Sequence, residues 1–175
     1  LRHKKDKTLI ENLYRLNDAK ISPGEDINIM STIAKRIGQK DIIVEMPIGL
    51  NHLNMYTLDG SFQKSICIGD KLSNIDGIQK RKRQNRLYTF ADLRIFDDFF
   101  GVLYINEEEL TYQTGRKKMP KILLFDWQAT PLAEIMLDHH VTCFDIDFAN
   151  ENLYTFDAHS DAFFKHNLTD ILKSL

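Results

Sequence analysis

The chain repeats part of its own sequence without a gap. Residues 53–68 align with residues 122–137, a shift of 69 from position 53 to position 122. In both copies an apolar segment leads into a short turn, Asp59-Gly60 in the first and Ala129-Thr130-Pro131 in the second, and another apolar segment follows. The pattern predicts a strand, a tight turn and a second strand, twice over.

Repeats spaced by tens of residues are typical of solenoids and propellers, because each unit buries its apolar faces only against its neighbours. Strand and turn signals along the whole chain predict an all-β protein of about three four-stranded antiparallel propeller blades. The predicted blades are residues 29–70, 87–138 and 139–175. Residues 1–28 precede them, either as a short helix or as the end of a preceding blade.

Two polar insertions interrupt the strand pattern. Residues 71–86 contain Lys80-Arg81-Lys82-Arg83 and are predicted to form a solvated loop, with a patch for an anionic surface or nucleic acid as the alternative. Residues 106–120 carry the acidic block 107–109 and the basic block 116–118. Blocks of opposite charge on the two insertions can pair, although exposed ion pairs contribute little to stability.

The last blade aligns with the second at a shift of 41, from Phe125 to His166. Its predicted strands are residues 141–148, 153–156, 163–168 and 171–175. In the second blade, residues 122–125 are apolar at every position, which predicts a strand covered on both faces. Phe125 and Trp127 are therefore expected to pack between blades.

Composition places the chain in a broad class. At 175 residues, 43% apolar and 27% charged, it is long enough for a globular domain with a core. A net charge of −2 argues against non-specific binding to nucleic acid. No apolar run approaches the roughly 18 residues of a membrane span. The chain begins with Leu1 rather than Met, so we expect it to be the later part of a longer product.

Histidines and aspartates concentrate in the last third of the chain. Because neighbouring residues on a strand point to opposite faces, His139 and His140 are not expected to bind one metal together. Residues 157–161 alternate polar side chains as a calcium loop does, but they lack the glycine and final glutamate of an EF-hand. Polar turns between strands are the favoured interpretation of this group: Asp138, His139, His140, Asp145, Asp147, Asp157, His159, Asp161 and His166.

Asp145 and Asp147 share one face of a predicted strand. They could line a channel and, together with Asn152, coordinate a divalent cation such as calcium. Alternatively, they accept hydrogen bonds from backbone amides at a turn, as short acidic residues do.

A catalytic triad of Ser160, His159 and Asp157 is disfavoured, because adjacent residues in a turn rarely converge and no Gly-x-Ser-x-Gly elbow is present. The sequence contains no Gly-rich phosphate loop, Cys-x-x-Cys pair or His-Glu-x-x-His motif. Cys67 and Cys143 each lie in an apolar strand pattern, which favours free thiols over a disulfide.

Three segments resemble the late blades of the TolB-like six-bladed β-propellers: residues 54–60, residues 122–127, and residues 137–147 followed by Leu153-Tyr154. The resemblance covers about residues 29–175. It implies a partial six-bladed ring and a protein of the cell envelope. It transfers no site residue, because these motifs describe strands and turns rather than an activity.

The function expected from the sequence is a non-catalytic binding or scaffolding module. A propeller is a stiff frame, so a protein, peptide or small-molecule ligand is expected at the channel mouth or on loops between blades. The alternative is a metal-dependent hydrolase of esters or lactones with a cation at the ring centre. Three blades would leave two wide apolar end faces, which we expect to be covered by further residues of the parent chain or by a second copy that completes the ring.

Overall fold

The computed structural model describes residues 31–73, 77–78 and 80–173, and they form three separate antiparallel sheets. The prediction of an all-β protein is therefore confirmed. The predicted N-terminal segment, residues 1–28, lies outside the described residues.

Each sheet is a meander in which consecutive strands pair. The first sheet contains β1 (Thr32–Arg36), β2 (Ile42–Pro47), β3 (His52–Thr57) and β4 (Phe62–Cys67). The second contains β5 (Leu87–Ile95), β6 (Phe99–Glu108), β7 (Lys121–Asp126) and β8 (Pro131–Met136). The third contains β9 (Cys143–Asp147), β10 (Asn152–Asp157) and β11 (Ala162–Asn167).

Among the described residues the third sheet has three strands rather than the predicted four. The fourth strand was expected at residues 171–175, but residues 171 and 172 belong to the short helix α2 (Thr169–Leu172). Asn167 starts this turn, because its side-chain oxygen accepts the backbone N–H of Thr169 at 3.0 Å. A local side-chain bond of this kind offers the backbone an alternative to strand pairing.

The polar insertion at residues 106–120 is also more ordered than predicted. Strand β6 continues to Glu108 because β5 starts early enough to pair with it, Leu87 opposite Glu108. The helix α1 (Glu109–Thr114) follows directly. In the other insertion, a 3-10 turn forms at Arg83–Asn85.

The internal repeat corresponds to two hairpins with matching geometry. Strands β3 and β4 superimpose on β7 and β8 at the shift of 69, from His52 to Lys121 and from Phe62 to Pro131. The pairing register slips at the same place in both hairpins, between Met55 and Tyr56 in the first and at the equivalent residues of the second. The repeat therefore encodes the irregularity of the pairing as well as the strands.

The second sheet is enclosed between the other two. Leu123 and Phe125 pack into a core shared with the first sheet. Ile122 and Leu124, on the opposite face of β7, pack into a core shared with the third sheet. This confirms that the all-apolar strand is covered on both faces, and it places Phe125 between sheets as predicted.

Gly101 in β6 marks the close contact of the second sheet with the third. A Cβ atom at this position would lie 2.8 Å from Cδ2 of Leu124 and 3.0 Å from Cζ of Phe144 in β9. A side chain there would force the two sheets apart. Glycine is required at this position by the close approach, not by its backbone angles.

The first strands of the sheets lie nearest to one another, β1 beside β5 and β5 beside β9. Two hydrogen bonds support the first junction, because the backbone N–H groups of Thr89 and Phe90 both donate to the carbonyl of Ile48. A further bond connects the turns at one end, from Nζ of Lys40 to the carbonyl of Asp97 at 3.1 Å. The sheets therefore diverge from the side on which their first strands meet.

A polar row crosses the face of the first sheet that points away from the second. Glu45 is fully buried, and Nδ2 of Asn54 lies 3.4 Å from its Oε2. The hydroxyl of Ser65, which is exposed, donates to Oδ1 of Asn54 at 2.5 Å. The row runs over β2, β3 and β4, and its buried part lies on the two inner strands.

Candidate functional site

A group of interacting ionisable side chains connects the second and third sheets. Nη1 of Arg116, just after α1, donates to Oδ1 of Asp157 at the end of β10, at 2.5 Å. The Asp157 side chain is 3% exposed and that of Arg116 is 18% exposed. Arg116 reaches it with a backbone φ of 43°, in the left-handed region that non-glycine residues rarely adopt.

Asp157 accepts hydrogen bonds from its own turn as well. The hydroxyl of Ser160 donates to Oδ2 at 2.6 Å, and the backbone N–H of His159 donates to Oδ1 at 3.3 Å. Burial alone would raise the pKa of the Asp157 carboxyl, but the hydrogen bonds from Arg116 and Ser160 outweigh burial and hold the pKa far below its usual value. The Asp157 carboxyl is therefore ionised at neutral pH, and it stabilises the turn at residues 157–160.

Glu107 binds the backbone of the two residues that follow Arg116. Its Oε1 accepts the backbone N–H groups of Lys117 and Lys118 at 2.8 and 3.2 Å. Nearby, burial and the positive charge of Arg116 lower the pKa of His140, with the anions Asp157 and Glu107 acting in the opposite direction. His140 is therefore a neutral imidazole at pH 7.

Tyr112 in α1 completes the group. Its ring stacks on Tyr88 at 4.6 Å between centroids and meets the edge of His159 at 5.7 Å. Burial and the neighbouring Tyr88 raise the pKa of Tyr112 to about 12. Its phenol stays protonated in the physiological range and serves as packing surface.

A catalytic triad needs the histidine between the serine and the aspartate. The side chains of Ser160, His159 and Asp157 are not arranged in this way. The Ser160 hydroxyl donates to the carboxylate rather than to an imidazole, and Nδ1 of His159 lies 3.5 Å from the same carboxylate. Asp157 is thus the centre of the group, and no base faces the serine. A relay requires histidine between the hydroxyl and the acid.

His139 and His140 lie in the connection between β8 and β9, not on a strand as the sequence argument assumed. They still diverge. The His139 ring lies 2.7 Å from Oδ1 of Asp138 and 3.1 Å from Oγ1 of Thr155, and it stacks on His166. Within residues 31–73, 77–78 and 80–173, no three histidine, cysteine or acidic side chains are grouped so as to hold a metal ion.

The three proposed cation ligands have local partners. Asp147 accepts the backbone N–H and the side-chain amide of Asn150 at 3.1 and 2.7 Å, which closes the turn after β9. Oδ1 of Asp145 accepts the backbone N–H of Ile146 at 2.9 Å. Asn152 is buried at the start of β10, directly opposite Asp147. The turn-forming alternative therefore describes Asp147, while a calcium site stays a prediction.

The surface beside the Arg116–Asp157 pair is basic with two apolar side chains. The two insertions meet here: Nε of Arg83 lies 3.0 Å from Oε1 of Glu109, and the N–H of Glu109 donates to the carbonyl of Arg86. The expected pairing of opposite charge blocks is thus confirmed. We call the following exposed residues the basic rim: Lys80, Arg81, Lys82, Leu110, Lys117, Lys118 and Met119.

The charge blocks are recognisable in the sequence, but the contact between Arg116 and Asp157 is not. Arg116 was grouped with the exposed lysines, although its guanidinium is mostly enclosed and bonded to Asp157. Tyr112 gave no signal, because a tyrosine in a polar segment has no distinctive spacing. The only usable clue was the opposite sign of residues 116–118 and of the aspartates around 157.

Cys67 and Cys143 are both free, as predicted, and each is half-buried. In the described part of the chain, no helix has the length and apolar character needed to cross a membrane. Comparison of the chain with models of known protein families and with curated proteins finds no match.

Proposed function

We propose that the chain is a non-catalytic binding module built from consecutive β-propeller blades. Two features support the blade arrangement: neighbouring sheets pack face to face, and their first strands meet at one side. Blades around a propeller axis have both properties. The resemblance of the strand patterns to TolB-like propellers supports the same architecture.

The ligand that best fits is an acidic segment of a partner protein, bound on the basic rim. The observation that carries this proposal is that exposed lysines and the exposed Leu110 and Met119 flank the contact between the two insertions at Arg83 and Glu109. The whole chain has a net charge of −2, so a concentrated basic surface is local and not a reflection of composition. Complementary charge increases the association rate, and the two apolar side chains supply contact area.

Hydrogen bonds within the chain fix the part of the basic rim that contains Lys117 and Lys118. Glu107 binds the backbone of Lys117 and Lys118, and Asp157 binds Arg116 directly before them. A preformed surface loses less conformational entropy on binding. Glu107 and Asp157 are thus engaged within the chain, whereas the side chains of Lys80, Lys82 and Lys117 are exposed.

The test uses a fluorescently labelled peptide rich in Glu and Leu and follows its anisotropy. We expect saturable binding that weakens as salt is raised, and a loss of at least about tenfold in affinity in Lys117→Glu combined with Lys118→Glu, because like charges then face each other. Arg36→Glu, an exposed reversal on β1, is the matched control and leaves binding unchanged. Equal loss in the control, or no binding at low salt, contradicts the proposal.

Calcium separates this function from the metal-dependent hydrolase. A cation bound to the native state raises the melting temperature by mass action. We expect calcium to leave the melting temperature of the chain unchanged. A rise that is abolished by Asp145→Asn would instead support a cation site at Asp145, Asp147 and Asn152.

A further inference from the structure

The face of the third sheet that points away from the second sheet has exposed side chains on its two edge strands, while Asn152 on the central strand is buried. Side chains alternate along a strand, so the paired registers place three rows of three residues on this face. Phe163 is 66% exposed and is the most exposed large apolar side chain in the described residues. The rows are Cys143–Phe156–Phe163, Asp145–Tyr154–Lys165 and Asp147–Asn152–Asn167.

The middle row has a negative charge at one edge, an aromatic ring at the centre and a positive charge at the other edge. Nζ of Lys165 lies 5.9 Å from the centre of the Tyr154 ring, and Phe163 stacks on the same ring at 5.8 Å. Asp145 is exposed on β9. Such a row is complementary to a copy of itself turned over, so that each charge faces its opposite.

We propose that this face pairs with the same face of a second copy of the chain, about a two-fold axis that runs along β10. Rotation about that axis places β9 of one copy over β11 of the other. Asp145 then faces Lys165 of the other copy, and Tyr154 faces its own equivalent. In the remaining rows Cys143 faces Phe163, and Asp147 faces the amide of Asn167.

The charge pattern selects this axis over the other arrangement of the two faces. A two-fold axis running across the strands through Tyr154 would place Asp145 on Asp145 and Lys165 on Lys165, and both contacts are repulsive. An interface about a two-fold axis uses the same patch on both copies, which is the commonest form of soluble oligomer.

This pairing differs from completion of a ring by a second copy. Ring completion would pack the third sheet of one copy on the first sheet of the other, whereas this pairing uses the third sheet of both copies. It is also independent of the basic rim, which lies at the end of the sheets rather than on this face.

The size of the face sets the expected strength. Three strands about 4.8 Å apart and six residues long at about 3.3 Å per residue make a patch of roughly 14 by 20 Å. Burying one such patch on each copy gives an interface below the usual size of stable specific complexes, in the range of weak and transient contacts. We therefore expect a reversible dimer that forms as concentration is raised.

Sedimentation velocity over a range of concentrations tests the proposal. The mass should rise from the 20.4 kDa of one chain towards twice that value. Asp145→Lys and Lys165→Glu should each weaken the association at least about tenfold, because each places like charges opposite each other twice per dimer. An equimolar mixture of the two variants should associate again, since every charge then faces its opposite.

A matched pair of apolar variants locates the interface. Phe163→Asp should weaken the dimer, whereas Met136→Asp on β8, 63% exposed in the same chain, should not. Circular dichroism confirms that each variant is folded, which is expected because all these side chains are exposed or at an edge. A monomer at every concentration up to the solubility limit overturns the proposal. A dimer that survives both charge reversals, or a mixture that fails to associate, overturns it equally.

Discussion

The hairpins β3–β4 and β7–β8 share their strand bounds, their four-residue turns and the position of their register slip, yet they differ in what they touch. Trp127 begins the turn of the second hairpin and is 5% exposed, whereas its counterpart Leu58 is 40% exposed. Asn54 in β3 occupies the position of Leu123 in β7. One local pattern therefore serves two different environments.

The difference follows from the place of each sheet in the stack. Both faces of β7 are covered by other sheets, so every central residue of that strand is apolar. Only one face of β3 meets the second sheet, and on its other face the buried Asn54 bonds to the buried Glu45 and to the exposed Ser65. Hairpin geometry is set by local sequence, while side-chain chemistry is set by the neighbouring sheet.

The largest expected effect is loss of Trp127. Its ring lies 5.5 Å from that of Phe100, its Nε1 donates to the carbonyl of Asp97 at 3.0 Å, and the Lys40 ammonium lies over it. Trp127→Ala should lower the free energy of unfolding by about 3–5 kcal/mol, the usual cost of emptying a large aromatic site. Urea denaturation followed by circular dichroism measures it. Leu58→Ala is the matched control and should lose less than about 1 kcal/mol. Equal losses of unfolding free energy at both positions would contradict the difference in burial between Trp127 and Leu58.

Replacing a polar residue of the first hairpin with the apolar residue at the equivalent position of the second is expected to lower the free energy of unfolding by less than the loss of Trp127. Asn54→Leu places the β7 residue in β3. Glu45 and Ser65 then lose their bonds to the amide in a buried site, which should cost about 1–3 kcal/mol despite the gain in apolar surface. Ser65→Ala, which removes one of the two bonds, should cost less. A stabilised Asn54→Leu protein would show that the polar row is incidental.

The smallest effect concerns the turns. Gly60 and Ala129 occupy the same turn position, with φ of 87° and 70°. A residue with a Cβ pays a steric cost in this left-handed region, whereas glycine does not. Ala129→Gly should therefore raise the free energy of unfolding by about 0.5–1 kcal/mol, and Gly60→Ala should lower it by about 1–2 kcal/mol. Effects of the same sign in the two variants would contradict the equivalence of the turns.

Most of the sheet structure could be predicted from the sequence because strand alternation, turns and the repeat are local signals. The shift of 41 between the second and third sheets aligns β7 with β11, from Lys121 to Ala162. The missing fourth strand at residues 171–175 was not predictable from apolar residues alone. Ile171 and Leu172 fit a short helix as well as a strand, and the bond from Asn167 to Thr169 favours the helix.

The candidate site was less predictable because it depends on contacts distant in sequence. Arg116 and Asp157 are 41 residues apart, and nothing local distinguishes this arginine from the lysines that follow it. The polar outer face of the first sheet was missed for the same reason. Glu45 reads as an ordinary surface charge until its pairing across strands with Asn54 is known.

Hydrogen exchange tests the enclosure of the second sheet most directly. Amides of a doubly covered sheet exchange only through global opening, whereas edge strands open locally at lower cost. We expect the slowest exchange in β6 and β7, and faster exchange in the edge strands β4, β8 and β11. Protection of β6 and β7 no greater than that of β11 would show that the second sheet is not held between the other two.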